Sequence, residues 1–417
     1  MLGVECWILD ISFSLFSLLR LPNFPIRYST MIIISALDNS GQLYAADVVR
    51  LLRQKLPGQT FLGIGGKELA QAGCELVHDV SDTSAMLTGV VGALKWAIPA
   101  YRKLVRLMNE GKVDLVILVD SPTFNLPLAK AAKKRGIKTF YYIAPQVWAW
   151  AEFRIKKIKK RVDHLAVILP FESEYFKRFG VHADFVGHPF INLIKDAPAN
   201  PVLAKQFADL QNPKILLMPG SRRHVVKELL PVQLRTVRKI IDNVGPVTVS
   251  IAAWKDIADT VIDIAQHNGF QTHRADTTGL LLTPNTVNIF TTDRRTLIEK
   301  ADLVLAASGT GTLEVAWHAR PMIVMYNASK IVYHLFGRWM IKTKYLSLIN
   351  ILSGRELVPE FMPYIKDENQ LLDQALHLVK NKELAHRLGW DMQALIQKLY
   401  QPHPSQHVAD LVLTLLN

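Results

Sequence analysis

Cysteine is almost missing from these 417 residues: Cys6 and Cys74 are the whole complement. Two thiols cannot build a disulfide framework, and neither stands at a metal-ligand spacing, so a stapled secreted scaffold is excluded and no cysteine-held structural zinc is expected. A reducing, cytoplasmic compartment fits. Long apolar runs are also scarce. The one near the start, Val4 to Leu19, is broken by Glu5 and Asp10 and is shorter than the roughly 20 residues that span a bilayer. No basic segment precedes it and no small-residue cleavage site follows, which argues against a signal peptide. Residues 1–30 therefore read as an extension ahead of a pattern that starts at Met31, as from a mis-assigned start codon, with a weak interfacial anchor as the alternative. Negative charge is the third shortage. Against 49 Lys and Arg there are 36 Asp and Glu, leaving +13, which draws the chain toward nucleic acid, anionic lipid or phosphorylated substrates.

What is present is globular. Hydrophobic residues make up 49% and charged residues 20%, a balance that excludes a disordered chain. The length exceeds what one core covers, so two domains are expected. From Met31 short apolar strands alternate with amphipathic helices, which predicts βαβ units and parallel sheets. Strands are expected at Ile32 to Ser35, Phe61 to Ile64, Leu115 to Val119 and Thr139 to Ile143, with a turn at Leu37 to Gln42 and a helix from Tyr44 to Leu56. A second series starts after the Pro-containing stretch Asp196 to Pro201, read as the hinge. Its strands are Lys214 to Met218, Thr248 to Ala252, Val287 to Phe290, Leu303 to Ala306 and Met322 to Tyr326. The fold class is thus α/β, with two doubly wound halves at 31–195 and 196–394 and a C-terminal helix near 395–417 that can pack back on the first. Ligands of such sheets sit beyond the carboxyl ends of the strands.

Three turns stand at those ends. Asp120 follows an apolar strand and precedes Ser121-Pro122, a place for a general base or, as commonly, for a helix cap. Pro219-Gly220-Ser221-Arg222 joins a strand to a helix, where free N–H groups and an Arg favour an anion; no Gly-Lys-Ser/Thr follows, so it is not a Walker loop. Ser308-Gly309-Thr310-Gly311-Thr312-Leu313-Glu314 has the same setting. There Glu314 can bind vicinal hydroxyls such as a ribose's, or close a capping box with Thr310 or Thr312. Leu87, Val90, Val91, Leu94 and Ile98 fall at helical spacing beside Trp96 and Arg102, which suits a helix in a lipid interface or one packed on a core. The run Arg154 to Arg161 either meets phosphates or is a solvated face. It lacks aromatic interleaving and no recognised motif accompanies it, so nucleic acid is not expected as a partner. His188, Trp148 and Trp150 read as structural.

In order and spacing these segments resemble the lipid-A-disaccharide synthase family from about Met31 into the C-terminal helices. Val119-Asp120-Ser121-Pro122-Thr123-Phe124-Asn125, Ala144-Pro145-Gln146-Val147-Trp148-Ala149-Trp150, Ile168-Leu169-Pro170-Phe171-Glu172, Phe185-Val186-Gly187-His188, Leu217-Met218-Pro219-Gly220-Ser221-Arg222 and Ala307-Ser308-Gly309-Thr310 carry the likeness. The most specific part is Lys342 to Pro359, with Tyr345 to Asn350 and Gly354-Arg355-Glu356-Leu357-Val358.

The resemblance implies a GT-B fold, two Rossmann-like domains facing across a cleft, with 31–195 on the acceptor and membrane side and 196–394 binding a UDP-sugar. It implies inverting transfer of a diacylated glucosamine from UDP to the 6-hydroxyl of a diacylated glucosamine 1-phosphate. Asp120 would be the base, with Ser40 and Gly41 in the first turn on the substrate side. Ser221 and Arg222 would face the diphosphate, and Ser308, Gly309, Thr310 and Glu314 would hold ribose and phosphate. Asn350 and the turn Gly354, Arg355, Glu356 would complete the donor pocket. The helix with Leu87, Val90, Val91, Leu94, Trp96, Ile98 and Arg102 would contact an anionic membrane, placing the protein peripherally on the inner face of the plasma membrane. Neither metal nor cofactor is implied, and a homodimer is one open arrangement. The chain departs from the family at Gln42, Thr123, Val225 and Lys227, positions where acidic residues are usual. That leaves as alternatives a relative using another lipid acceptor, a UDP-sugar enzyme such as an epimerase, or a non-catalytic membrane-bound paralogue.

Overall fold

The computed structural model describes residues 31–80, 90–276, 280–283, 285–327 and 343–416. Residues 1–30 and Leu87 lie outside them, as do the side chains of Val90, Val91 and Leu94. The described chain forms two compact units: residues 31–189 with 401–416, and residues 190–327 with 343–400.

The first unit holds a seven-stranded parallel sheet. In chain order its strands are β1 (Met31–Ala36), β2 (Thr60–Gly65), β3 (Glu75–Asp79), β4 (Val113–Val119), β5 (Lys138–Tyr142), β6 (His164–Val167) and β7 (Ala183–Phe185). They lie side by side as β3-β2-β1-β4-β5-β6-β7. The interior strand β1 is buried at all six positions, as a strand covered on both faces must be. Helix Asn39–Lys55 packs against helix Pro404–Leu416, and Val90–Asn109 against Pro122–Lys133.

The second unit repeats the plan. Its strands are β8 (Lys214–Met218), β9 (Thr248–Ala252), β10 (Gln271–Arg274), β11 (Thr286–Phe290), β12 (Leu303–Ala307), β13 (Met322–Met325) and β14 (Glu360–Phe361), in the order β10-β11-β9-β8-β12-β13-β14. Helix Arg223–Val244 buries Val226, Leu229, Leu230, Gln233, Val237 and Ile240, the one-sided stripe of a helix lying on a sheet.

Two expectations shift. The expected turn at Leu37 to Gln42 is already helical from Asn39, because extended Asp38 serves as the N-cap and no proline intervenes. Strands β3, β7, β10 and β14 carry too little apolar sequence to be read, and β6, apolar after His164, is only four residues long: β3 is Glu-Leu-Val-His-Asp and β10 is Gln-Thr-His-Arg, both half-exposed. Between Asp196 and Pro201, one helix ends and another starts, capped by the Asn200 side chain accepting from Val202 N and Leu203 N at 3.1 Å.

The strand order switches direction between β1 and β4 in the first sheet and between β8 and β12 in the second, where β11 also lies inserted between β9 and β10. Those are the switch points where an open α/β sheet leaves a crevice beyond its carboxyl ends.

Candidate active site

Beyond β1 and β4 stand Asp38 and Asp120, brought together by the parallel pairing that sets Ala36 against Val119. Asp120 and Ser121 both have left-handed backbones, with φ of 47° and 43°, which costs non-glycine residues roughly 1–2 kcal/mol each. The surroundings hold them there. Asp120 N donates to Tyr142 O at 3.1 Å, while Asp120 O accepts from Tyr141 Oη at 2.6 Å and Asn125 Nδ2 at 2.8 Å. Buried Asn125 also donates to Val119 O at 3.0 Å, tying the strand end to the first turn of helix Pro122–Lys133.

Ser121 occupies the N-cap of that helix without capping it; its hydroxyl donates to Asp38 Oδ2 instead. Asp38 likewise makes no cap bond to its own helix. Capping, the bland reading for an acid at such a turn, describes neither Asp38 nor Asp120. Burial, then the Asp38 charge, push the Asp120 carboxyl up to about 7, against a hydrogen bond from Ser121 N–H. An acid poised there can take up and return a proton near neutral pH.

The helix after β1 comes close because Gly41 has no side chain: a Cβ there would lie 3.3 Å from Val119 Cγ1. Ser40 beside it is exposed, and Gln42 is buried with Nε2 donating to Leu37 O at 3.2 Å. Thr123 is buried in the first turn after Ser121.

Sequence reading missed a second acid here. Glu172 is fully buried; Oε1 accepts from Trp148 Nε1 at 2.9 Å, and Oε2 from Leu169 N at 3.0 Å and Ile168 N at 3.3 Å. Burial outweighs these bonds and lifts it to about 7, with the Asp120 charge contributing. Arg154 is buried too, its guanidinium 4.7 Å from the centre of the Trp150 ring. Its charge opposes the rise of Tyr141, whose hydroxyl holds the Asp120 carbonyl. The basic run thus divides: Arg154, Ile155 and Ile158 pack inward, while Lys156, Lys159 and Lys160 are exposed. His188 is buried, and burial holds it down to about 4, hence neutral.

In the second unit the turns after β8 and β12 share a switch point. Ser221 and Arg222 are exposed ahead of helix Arg223–Val244, and Arg222 is its N-cap in an extended conformation. A Cβ on Gly220 would meet Val225 Cγ1 at 3.2 Å and Ala307 Cβ at 3.4 Å, so the two turns touch. Val225 is buried in the core and Lys227 exposed. Ser308 N donates to Met325 O at 2.9 Å, and exposed Gly309 and Thr310 lead into helix Gly311–Trp317. Glu314 closes no capping box. Its Oε2 lies 2.7 Å from Arg294 Nε, and burial raises the carboxyl while Arg294 opposes the rise.

Asn350 is fully buried with its amide saturated. Nδ2 donates to Val358 O and Glu360 Oε2, both at 2.9 Å, while Oδ1 accepts from Leu357 N at 2.8 Å and Val358 N at 2.9 Å. No amide hydrogen bond is left over for a ligand; Asn350 holds the turn in which Gly354, Arg355 and Glu356 are exposed. Arg355 Nη2 stands 3.6 Å from Asp391 Oδ2. Of the apolar helix, Trp96 and Ile98 pack half-buried on the first core, Trp96 stacked on His78 with ring centres 5.2 Å apart. Arg102 is exposed. No helix among the described residues is long and apolar enough to cross a membrane.

Known proteins bear on this geometry at two levels. A co-structure of S. aureus MnaA with UDP superposes with a TM-score of 0.58 at 12% identity, covering 92% of this chain and 96% of that one. The calicheamicin glycosyltransferase superposes at 0.55 with 14% identity, covering 94% and 99%. Identities this low show the fold alone, GT-B. Sequence goes further. The lipid-A-disaccharide synthase of Syntrophus aciditrophicus is 34% identical over 390 residues, 93% of this chain and 98% of its own. The family profile described as lipid-A-disaccharide synthetase matches residues 32–412. On this match over most of both chains, the protein is a glycosyltransferase belonging to the lipid-A-disaccharide synthase family.

Proposed function

We propose that the chain moves a diacylated glucosamine from UDP to the 6-hydroxyl of a diacylated glucosamine 1-phosphate, inverting the anomeric carbon and releasing UDP. Asp120 is the observation that carries this reading: a carboxyl held at about 7 on a pinned left-handed turn, beside Asp38 and Ser121. Asp120 takes the acceptor hydroxyl proton as the new oxygen–carbon bond forms and the bond from carbon to the diphosphate oxygen breaks. Charge gathers on the departing UDP. The free N–H groups at the start of helix Arg223–Val244, with Arg222 and Ser221, offset that charge. The small-residue turn Ser308-Gly309-Thr310 lets the donor approach the backbone, and Glu314, oriented by Arg294, accepts from the ribose hydroxyls. The UDP bound by the S. aureus relative in fold supports a uridine donor. Acyl chains on both sugars and a net +13 suit work at the anionic inner face of the plasma membrane, with Arg102 exposed beside the apolar helix.

Incubating the purified protein with UDP-diacylglucosamine, with and without the monosaccharide acceptor, tests this. UDP should appear only when the acceptor is present. Asp120→Asn should lower turnover by about 10²–10⁴, the usual worth of a positioned base, and leave UDP affinity unchanged. Release that ignores the acceptor, release only with a different lipid, or full activity in the variant overturns the proposal.

A further inference from the structure

At the other end of the first sheet, three ligand-type side chains converge that the transfer reaction does not use. His182 precedes β7 and Asp184 lies within it, so strand alternation sets both side chains on one face. The parallel register pairs Leu165 with Ala183, and one step back it sets His164 beside His182. One carboxylate oxygen serves both rings: Asp184 Oδ2 lies 2.7 Å from His164 Nε2 and 3.4 Å from His182 Nδ1. All three ligand atoms fall within 4.8 Å of one another, the one such group of His, Cys, Asp and Glu among the described residues.

We propose that His164, His182 and Asp184 bind a divalent cation of the zinc class at the edge of this sheet. Two imidazoles and a carboxylate are the donor set such ions take with three protein ligands and an open fourth position. Tetrahedral zinc bonds of 2.0–2.2 Å set neighbouring ligand atoms about 3.3 Å apart, so His164 and Asp184 need move by only about half an ångström. Both close atoms are buried, and their alignment is not that of a hydrogen bond; a cation between them answers both lone pairs at once. His164 is already oriented, stacked on Phe140 with ring centres 5.2 Å apart and planes 6° from parallel. His182 is 79% exposed, which leaves the open position to water. The chain's net +13 gives no general attraction for cations, so affinity has to come from these ligand bonds. The bound ion would join the short edge strand β7 to β6.

Untagged, chelator-washed full-length protein is dialysed against Zn²⁺, and separately titrated with Co²⁺ followed by visible absorption. One Zn²⁺ per chain is expected, with the intense Co²⁺ bands of a four-coordinate site and a rise in unfolding temperature. His182→Ala, an exposed change that threatens no packing, should weaken Zn²⁺ at least about tenfold, since even outer-shell losses cost 10–100-fold. Asp184→Asn should do the same, and Mg²⁺, which prefers an all-oxygen shell, should not compete. A variant that binds Zn²⁺ as the parent does, no stoichiometric Zn²⁺, or displacement by Mg²⁺ shows a His–Asp ion pair only and overturns the proposal. None of these readouts depends on transferase activity.

Discussion

At the scale of single residues, the consequence of Asp120 is a pH dependence with a definite sign. Folding raises its carboxyl from 3.8 to about 7, so the native state holds this proton where the unfolded chain has lost it. Stability from the group is therefore complete at low pH and is lost as pH climbs from about 4 through 7. With Asp120 as the proposed base, catalysis should run the other way, since only the ionised form accepts a proton. The rate at low substrate should rise to a plateau above pH 7, a limb that Asp120→Asn abolishes. The same variant should unfold at a higher temperature than the parent at pH 8 and at the same temperature near pH 4. Arg294 supports a second acid. Arg294→Met strands the buried Glu314 carboxylate, which should cost about 3–5 kcal/mol at pH 8 and less at pH 5, where Glu314 can protonate. Comparing thermal unfolding at the two pH values checks it. Asp120, the Ser308 turn and Glu314 are legible in the sequence because strand-end position marks them. Asp38, Arg154, Arg294 and Glu172 are not: their roles arise from neighbours 83, 13, 20 and 24 positions away, Ser121, Tyr141, Glu314 and Trp148 respectively.

At the scale of elements, strongly apolar strands are legible within a residue or two, whereas edge strands are not and the first helix begins five residues before its expected start. A strand such as β7, Ala-Asp-Phe, is held by its neighbour's backbone rather than by a hydrophobic run. Close packing of helices is equally hidden. In helix Lys382–Gln397, Gly389 faces the backbone after helix Gly311–Trp317: an added Cβ would stand 2.1 Å from Ala319 O, while nearby Gln393 Nε2 donates to Trp317 O at 2.7 Å. Gly389→Ala must push the two elements apart and should destabilise the second unit by about 1–3 kcal/mol. The urea midpoint measures this, with Gly58→Ala as a neutral control because nothing lies within 4 Å of its Cβ.

For the whole molecule, the α/β class and its two doubly wound halves are legible because alternation of strands and helices repeats twice along the chain, whereas the GT-B plan comes from the resemblance of its motifs to a family. Net charge sets the long-range behaviour. Binding to vesicles containing anionic lipid should fall steeply between 50 and 500 mM salt as screening lengths shrink, and neutral vesicles should bind weakly at either; sedimentation of the protein with vesicles checks both. Helix Pro404–Leu416 has a further implication. It belongs to the first unit, burying Val408, Ala409 and Val412, with Lys55 Nζ 2.7 Å from Asp410 Oδ1 and Lys138 Nζ 2.6 Å from Leu415 O. A ribosome must therefore translate the entire second unit before the first can close. At roughly 5–20 residues per second, that nascent half waits on the order of ten seconds or more with an apolar seam uncovered, a window in which a chaperone has something to hold.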